Sequence, residues 1–138
     1  MAENYNIDDF INVESPIKEE QVNFKRFKSP FKVRSLTADE VTTLRKQATK
    51  PVLNKRTHTY QPEMDQNKFS DLVMAESVIV PDLKNEKLQK AYGAIGEPAK
   101  VLELMLSAGE YVTLSQKVMD ISGLNGDSAE DLKEEAKN

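Results

Sequence analysis

The chain has 138 residues, of which 38% are hydrophobic and 30% charged, and its formal net charge is −4. This length suits a single domain with one hydrophobic core. The sequence has no cysteine, which excludes disulfides, thiolate metal sites and thiol nucleophiles. No apolar run reaches the ~20 residues of a membrane span, and the first residues do not resemble a signal peptide. We therefore expect a cytoplasmic protein with no membrane partner.

Charge is distributed unevenly along the chain. Residues 18–56 hold eleven Lys or Arg against four Asp or Glu, whereas residues 61–138 hold eight against fifteen. Segments of opposite charge can attract each other within one fold or between copies, so a homo-oligomer is one possible assembly. Ordinary solvated faces explain the same pattern more simply.

The first segment combines acidic residues with apolar residues at helical spacing. Ile7, Phe10 and Ile11 would share one face of a short helix that has two aspartates in its first turn. A helix this short does not persist alone in water, so it must dock on its own core or on a partner. We predict a polar arm with a short helix over residues 1–20.

Alternating apolar and polar residues over 22–36 predict a β-hairpin whose connection is Lys28-Ser29-Pro30. A lone hairpin is marginally stable, so it should pack against helices or pair with further strands. The side chains expected to face inward are Phe24, Phe31 and Val33, and those expected to face outward are Lys25, Lys32 and Arg34.

Thr37 and Glu40 form a capping box at the start of the next helix, which should end near Thr49, ahead of Pro51. Residues 50–64 are polar and contain two prolines. A mobile loop and a second, irregular hairpin both fit this stretch, and we favour the loop.

Helical spacing dominates the rest of the chain. Asp65 can cap the first of these helices, and Gly123 fits the end of the last. The predicted helical segments cover residues 66–80, 83–92, 98–106 and 110–122.

The predicted fold class is α+β: a mainly helical single domain with an N-terminal β-hairpin. Residues 21–123 would form its core from the hairpin and four to five helices. Residues 124–138 are predicted to be an acidic, mobile tail, because Leu132 is their only large apolar residue after Leu124.

Catalytic and metal-binding motifs are missing from the sequence. His58 is the only histidine and stands in a polar segment, so neither a hydrolase triad nor a zinc site can be assembled around it. A calcium loop starting at Asp120 fails because Leu124 stands where an oxygen ligand is required. The Gly93 and Gly96 pair lacks the Lys-Ser or Lys-Thr of a phosphate-binding loop. We predict a non-enzymatic protein with no cofactor and no metal.

The basic hairpin is the best candidate for a nucleic-acid interface. Strand alternation, however, places most of its aromatic rings on the face opposite its cations, and the whole chain is acidic. We therefore expect no nucleic-acid partner. A nucleic-acid-binding regulator remains the second alternative, and it predicts binding that weakens steeply with salt.

Several segments, taken in order along nearly the whole chain, resemble a known family. They include Phe24-Lys25-Arg26-Phe27, Phe31-Lys32-Val33-Arg34-Ser35-Leu36-Thr37, Asp65-Gln66-Asn67-Lys68-Phe69 and Met105-Leu106-Ser107-Ala108-Gly109-Glu110-Tyr111. In these segments the chain is similar to the XkdN-like phage tail assembly chaperones of contractile-tailed phages and related prophage elements. One departure is Lys28-Ser29-Pro30, which is shorter than the acidic, glycine-containing turn associated with the family.

The resemblance implies a non-catalytic role in tail morphogenesis inside the bacterial host cell. Such chaperones bind the long, largely helical tape-measure protein and keep it soluble until tail-tube subunits polymerise around it. Many are also made in a longer, frameshifted form whose extra domain recruits the tail-tube protein. The first alternative is a structural tail completion or connector subunit, which would remain in the finished particle.

A chaperone of this kind needs an accessible apolar surface or an amphipathic segment that can exchange its contacts. The arm and the helix that carries Met105 are the apolar candidates, although core packing explains the spacing of both more simply. The candidate partner-binding residues are Ile7, Phe10, Ile11, Lys25, Lys32, Arg34, Leu102 and Met105.

Overall fold

The structure is a computed structural model, and it describes residues 4–124. Except for Leu124, the predicted tail at 124–138 lies outside the described residues. The helices are α1 (Asp8–Ile11), α2 (Ala38–Gln47), α3 (Gln66–Ser77), α4 (Glu86–Ala91), α5 (Pro98–Met105) and α6 (Ala108–Ser122). The strands are β1 (Glu19–Val22), β2 (Phe31–Arg34), β3 (Thr49–Asn54), β4 (Thr59–Met64) and β5 (Val78–Val80).

The first three-stranded sheet has the order β1-β2-β5, with both pairings antiparallel. Its central strand alternates as predicted, since Phe31 and Val33 are buried while Lys32 and Arg34 are partly exposed. The predicted first strand at 22–27 is wrong, because β1 covers Glu19–Val22 and residues 23–30 form the connection. In that connection the rings of Phe24 and Phe27 meet the Phe31 ring edge-on, at centroid distances of 5.4 and 5.0 Å. Clustering around Phe31 partly buries both rings without strand pairing.

The preference for a loop at 50–64 is also wrong, because β3 and β4 form a regular antiparallel ribbon. Its two prolines, Pro51 and Pro62, are directly opposite each other. Proline lacks a backbone N–H. Two opposed prolines therefore fit a non-hydrogen-bonded pair, a position at which an N–H would not point at the partner strand. The ribbon closes through His58, whose N–H donates to the Asn54 carbonyl at 2.9 Å and whose φ is 55°.

The helix α3 ends at Ser77, three residues earlier than predicted. Val78-Ile79-Val80 leaves the helix and becomes β5, which pairs with β2. β-branched residues fit a strand better than a helix, and β2 offers them an unpaired edge. The predicted cap by Asp65 is confirmed, since its side chain accepts a hydrogen bond from the Lys68 N–H at 3.1 Å.

Capping boxes begin two of the helices. The predicted box at α2 is confirmed, with Thr37 and Glu40 each accepting the other's backbone N–H. Ser107 and Glu110 form a second box, which starts α6 two residues earlier than predicted. At the other end of α6, Gly123 adopts φ 69°, the left-handed stop expected of it.

Thr37→Ala is expected to reduce the free energy of unfolding by about 0.5–2 kcal/mol, because the Glu40 N–H in the first turn of α2 loses its side-chain acceptor. Urea unfolding measures this change. Thr43→Ala is the matched control, since Thr43 is exposed in the middle of the same helix. It should shift the free energy by no more than about 0.5 kcal/mol. Equal effects of the two substitutions would show that the box contributes nothing.

The hydrophobic core lies between the first sheet and helices α2, α3, α5 and α6. Helix α5 is among the best buried elements, because Val101 and Leu102 are fully covered. The largest fully buried side chains of the core are Phe31, Met74, Leu102, Leu114, Val33, Val73, Val101 and Val118.

Candidate functional site

The N-terminal arm (residues 4–16) presents unpacked apolar side chains. The exposed fractions of Ile7, Phe10 and Ile11 are 62%, 66% and 65%. The Asn6 side chain accepts a hydrogen bond from the N–H of Asp8, the first residue of α1, at 3.0 Å. None of the residues of α1 is buried. The sequence predicts that this helix docks either on its own core or on a partner. In the structure α1 does not dock on the core.

Two apolar residues extend the exposed face of the arm beyond those predicted. The Tyr5 ring meets the Phe10 ring edge-on, with 5.7 Å between centroids, and Tyr5 is 64% exposed. Val13 follows on the other side and is 66% exposed. Helical spacing could have indicated Val13, three residues after Phe10, but not Tyr5, which is two residues before Ile7. The arm therefore carries five large apolar residues beside its acidic ones.

The basic residues predicted to face outward differ in their partners. The Lys32 ammonium lies 3.2 Å from a carboxylate oxygen of Glu19 on the neighbouring strand. The Arg34 guanidinium donates to the carboxylates of Glu40 and Glu76 at 2.7–3.0 Å. In the described part of the chain Lys25 makes no ion pair and is exposed. Of the three, Lys25 is thus the most available to a partner, and Arg34 is committed to joining β2, α2 and α3.

Leu102 and Met105 are corrected from candidate contacts to core residues. Leu102 is fully buried and Met105 is 7% exposed. Both belong to the apolar stripe of α5, which packs into the core and contacts α3. On the outer face of the same helix, Leu104 is 48% exposed.

Each capping-box glutamate is also held by an arginine from the sheet region. The Arg34 side chain, followed by the Thr37 backbone, lowers the pKa of Glu40 to about 2. The Arg26 side chain, followed by the Ser107 backbone, lowers the pKa of Glu110 to about 2. Arg34 thereby ties the start of α2 to β2, and Arg26 ties the start of α6 to the connection between β1 and β2.

These shifts predict that the fold loses stability in acid. A carboxyl whose folded-state pKa is depressed contributes stability above its ordinary pKa of 4.5, and that contribution disappears as the pH falls towards 2. Urea unfolding midpoints measured between pH 7 and pH 2.5 should therefore fall steeply below pH 4.5. The Glu40→Gln/Glu110→Gln variant should show a shallower fall, whereas Glu63→Gln, on the exposed ribbon, should follow the parent chain. A parent profile flat below pH 4.5 would contradict the assignment.

The remaining chemistry of the described residues is sparse. His58 lies at the exposed tip of the β3–β4 ribbon. Within residues 4–124, no group of three or more His, Cys, Asp or Glu side chains is arranged to hold a metal ion. Over the same residues, none of the helices combines the length and apolar character needed to cross a membrane.

Comparison with known proteins assigns the chain to a family. The model of the phage XkdN-like tail assembly chaperone proteins matches residues 7–137. The chain belongs to this family. The match begins at Ile7, so it includes Ile7, Phe10 and Ile11 of the arm as well as the core. The role named for the XkdN-like family is assembly of the phage tail, which is not a catalytic one.

Two proteins of Bacillus subtilis (strain 168) are similar to this XkdN-like chain over most of its length. The phage-like element PBSX protein XkdN is 32% identical over 127 residues, which cover 91% of this chain and 84% of that protein. The protein YqbN is 31% identical over 127 residues, with 91% and 83% coverage. The crystal structure of YqbN has the same fold, with a TM-score of 0.70, 24% identity, and coverage of 89% of this chain and 100% of that one.

Proposed function

We propose that this member of the XkdN-like family binds the tape-measure protein of its phage or prophage element and keeps it soluble during tail assembly. The observation that carries the proposal is the exposure of the arm. Its Ile7, Phe10 and Ile11 side chains are each more than 60% exposed, whereas the large apolar side chains of the core are buried. Exposed apolar side chains grouped on one short amphipathic segment are typical of a protein-binding site. The bacterial cytoplasm is where this activity would take place.

Binding would proceed by packing the apolar face of α1 onto exposed apolar surface of the tape-measure protein. Full burial of each large side chain contributes roughly 1.5–3 kcal/mol. Ordering the short helix and the partner's side chains offsets part of that gain. The balance favours a contact that forms readily and is released when a competing subunit covers the same apolar surface, as an assembly chaperone requires.

Co-expression with the tape-measure protein of the same element tests the proposal. We expect the tape-measure protein to move from the insoluble to the soluble fraction and to copurify with this chain through an affinity tag on the chaperone. The control is co-expression of the tape-measure protein with an unrelated tagged protein of similar size. An insoluble tape-measure protein beside an abundant, folded chaperone would contradict the proposal.

A further inference from the structure

A groove runs along the less buried face of α3. Its first hollow, of about 670 Å³, lies between α2, α3 and the start of α5. Its second, of about 630 Å³, lies between α3, the end of α5 and the start of α6. Asp71 and Glu103 line both hollows, so the two meet there. We call the whole depression the acidic groove.

The groove has an apolar floor. Leu72, Ala75 and Pro98 line the first hollow. Tyr111 and Val112 line the second, and Val112 is 52% exposed. Along α3 the lining extends from Asn67 to Glu76, about 14 Å at 1.5 Å per residue. That length corresponds to between two and three turns of a bound helix.

Carboxylates dominate the rim. Six Asp or Glu residues but only two lysines line the first hollow. Arg34 compensates Glu40 and Glu76, and Lys100 lies 3.9 Å from Glu103. Asp71 has no ion-pair partner among residues 4–124. The groove therefore keeps uncompensated negative charge at its centre.

The titration of the central groups agrees with this geometry. Burial, followed by the neighbouring Asp71 carboxyl, raises the pKa of Glu103, while Lys100 opposes the shift. Burial, followed by the charges of Asp71 and Glu103, raises the pKa of Tyr111 to about 12. A cation placed between the two carboxylates would relieve their mutual repulsion.

We propose that the acidic groove binds a lysine- or arginine-bearing amphipathic helix of the partner protein, with a basic side chain between Asp71 and Glu103. The inference rests on the proposed function and adds to it a second contact besides the arm. Apolar floor and acidic rim match the two faces of such a helix, which is the helix-in-groove mode of recognition. The charge of the rim opposes a nucleic acid, and it also opposes the arm of a second copy, which carries Asp8 and Asp9.

A synthetic amphipathic helix of leucine and lysine is a direct probe of the groove. Fluorescence anisotropy at low salt should detect its binding to the parent chain, and the same peptide with glutamate for lysine should not bind. Asp71→Asn/Glu103→Gln should weaken binding of the lysine peptide at least about tenfold, because two charge-assisted contacts lose their charge. The matched control, Glu63→Gln/Asp120→Asn, removes two exposed carboxylates outside the groove and should leave affinity unchanged. Circular dichroism checks that each variant is folded.

The possible results separate the groove from the proposed function. If the folded groove variant and the parent chain bind the lysine peptide with equal affinity, the groove proposal is overturned. Analytical sedimentation tests for self-association. If the parent chain self-associates and the groove variant does not, the groove binds a second copy of the chain, which also overturns the proposal. Co-expression of the parent chain with the tape-measure protein is scored independently. If the parent chain fails to keep the tape-measure protein soluble, the proposed function is refuted. If the parent chain succeeds and the groove variant copurifies as much tape-measure protein as the parent does, only the groove proposal is refuted.

Discussion

Replacing Ile7, Phe10 and Ile11 together by serine is expected to abolish copurification of the tape-measure protein. Three large side chains would no longer be buried at the contact, a loss of about 4 kcal/mol or more, on the order of a thousandfold in affinity. Stability should hardly change, because all three side chains are exposed in the free chain. Pull-down from a co-expression lysate measures binding, and a thermal melt measures stability.

The matched control changes exposed apolar residues elsewhere. Leu53 and Tyr60 on the β3–β4 ribbon are 47% and 70% exposed. Their double substitution by serine should leave copurification intact if binding belongs to the arm. A serine-substituted arm that still retains the tape-measure protein, in a folded chain, would remove the arm from the proposed function.

Leu102→Ala is expected to lower the free energy of unfolding by about 2–5 kcal/mol, the range for large-to-small changes in a closed core. Leu102 is fully buried in the hydrophobic core, so its truncation leaves a cavity that the neighbours cannot fill completely. Urea unfolding, with the slope compared between variants, measures the effect.

Leu104→Ala is the matched control on the same helix. Leu104 is 48% exposed, so its truncation should change the free energy of unfolding by no more than about 0.5 kcal/mol. If Leu102 were a partner contact instead of a core residue, the two substitutions would have similar, small effects on stability. That result would restore Leu102 to the candidate surface.

Features that depend on neighbouring residues were predicted well from the sequence. The Thr37 capping box, the Asp65 cap and the Gly123 stop each require only a few consecutive residues. Val41 and Leu44, the buried residues of α2, are three residues apart, which is the spacing of one helix face. Local hydrogen bonds and helical periodicity act over three or four residues, so the sequence displays them directly.

Features that depend on distant pairing were predicted poorly. The β1 segment, Glu19–Val22, is polar and has no strand pattern of its own, and it forms a strand because β2 provides a partner. Val78–Val80 continues a helical pattern, but pairing with β2 more than forty residues earlier makes it a strand. Tertiary context overrides local propensity in both segments.

The two parts of the candidate site differ in the same way. The apolar face of the arm is a local pattern and was predicted from Ile7, Phe10 and Ile11. Whether that face packs on the core depends on the whole fold, and so does the burial of Leu102. Neither could be predicted from a local pattern. The acidic groove could not be predicted, because Asp39, Asp71 and Glu103 come from three helices that only the tertiary structure brings together.

The proposed function requires that the folded chain itself prevents aggregation of the tape-measure protein. The most direct test dilutes denatured tape-measure protein into buffer that contains purified chaperone and follows light scattering. We predict that scattering is suppressed as the chaperone approaches an equimolar amount, and that the serine-substituted arm suppresses it far less. Unchanged scattering at a several-fold excess of folded chaperone would contradict the account.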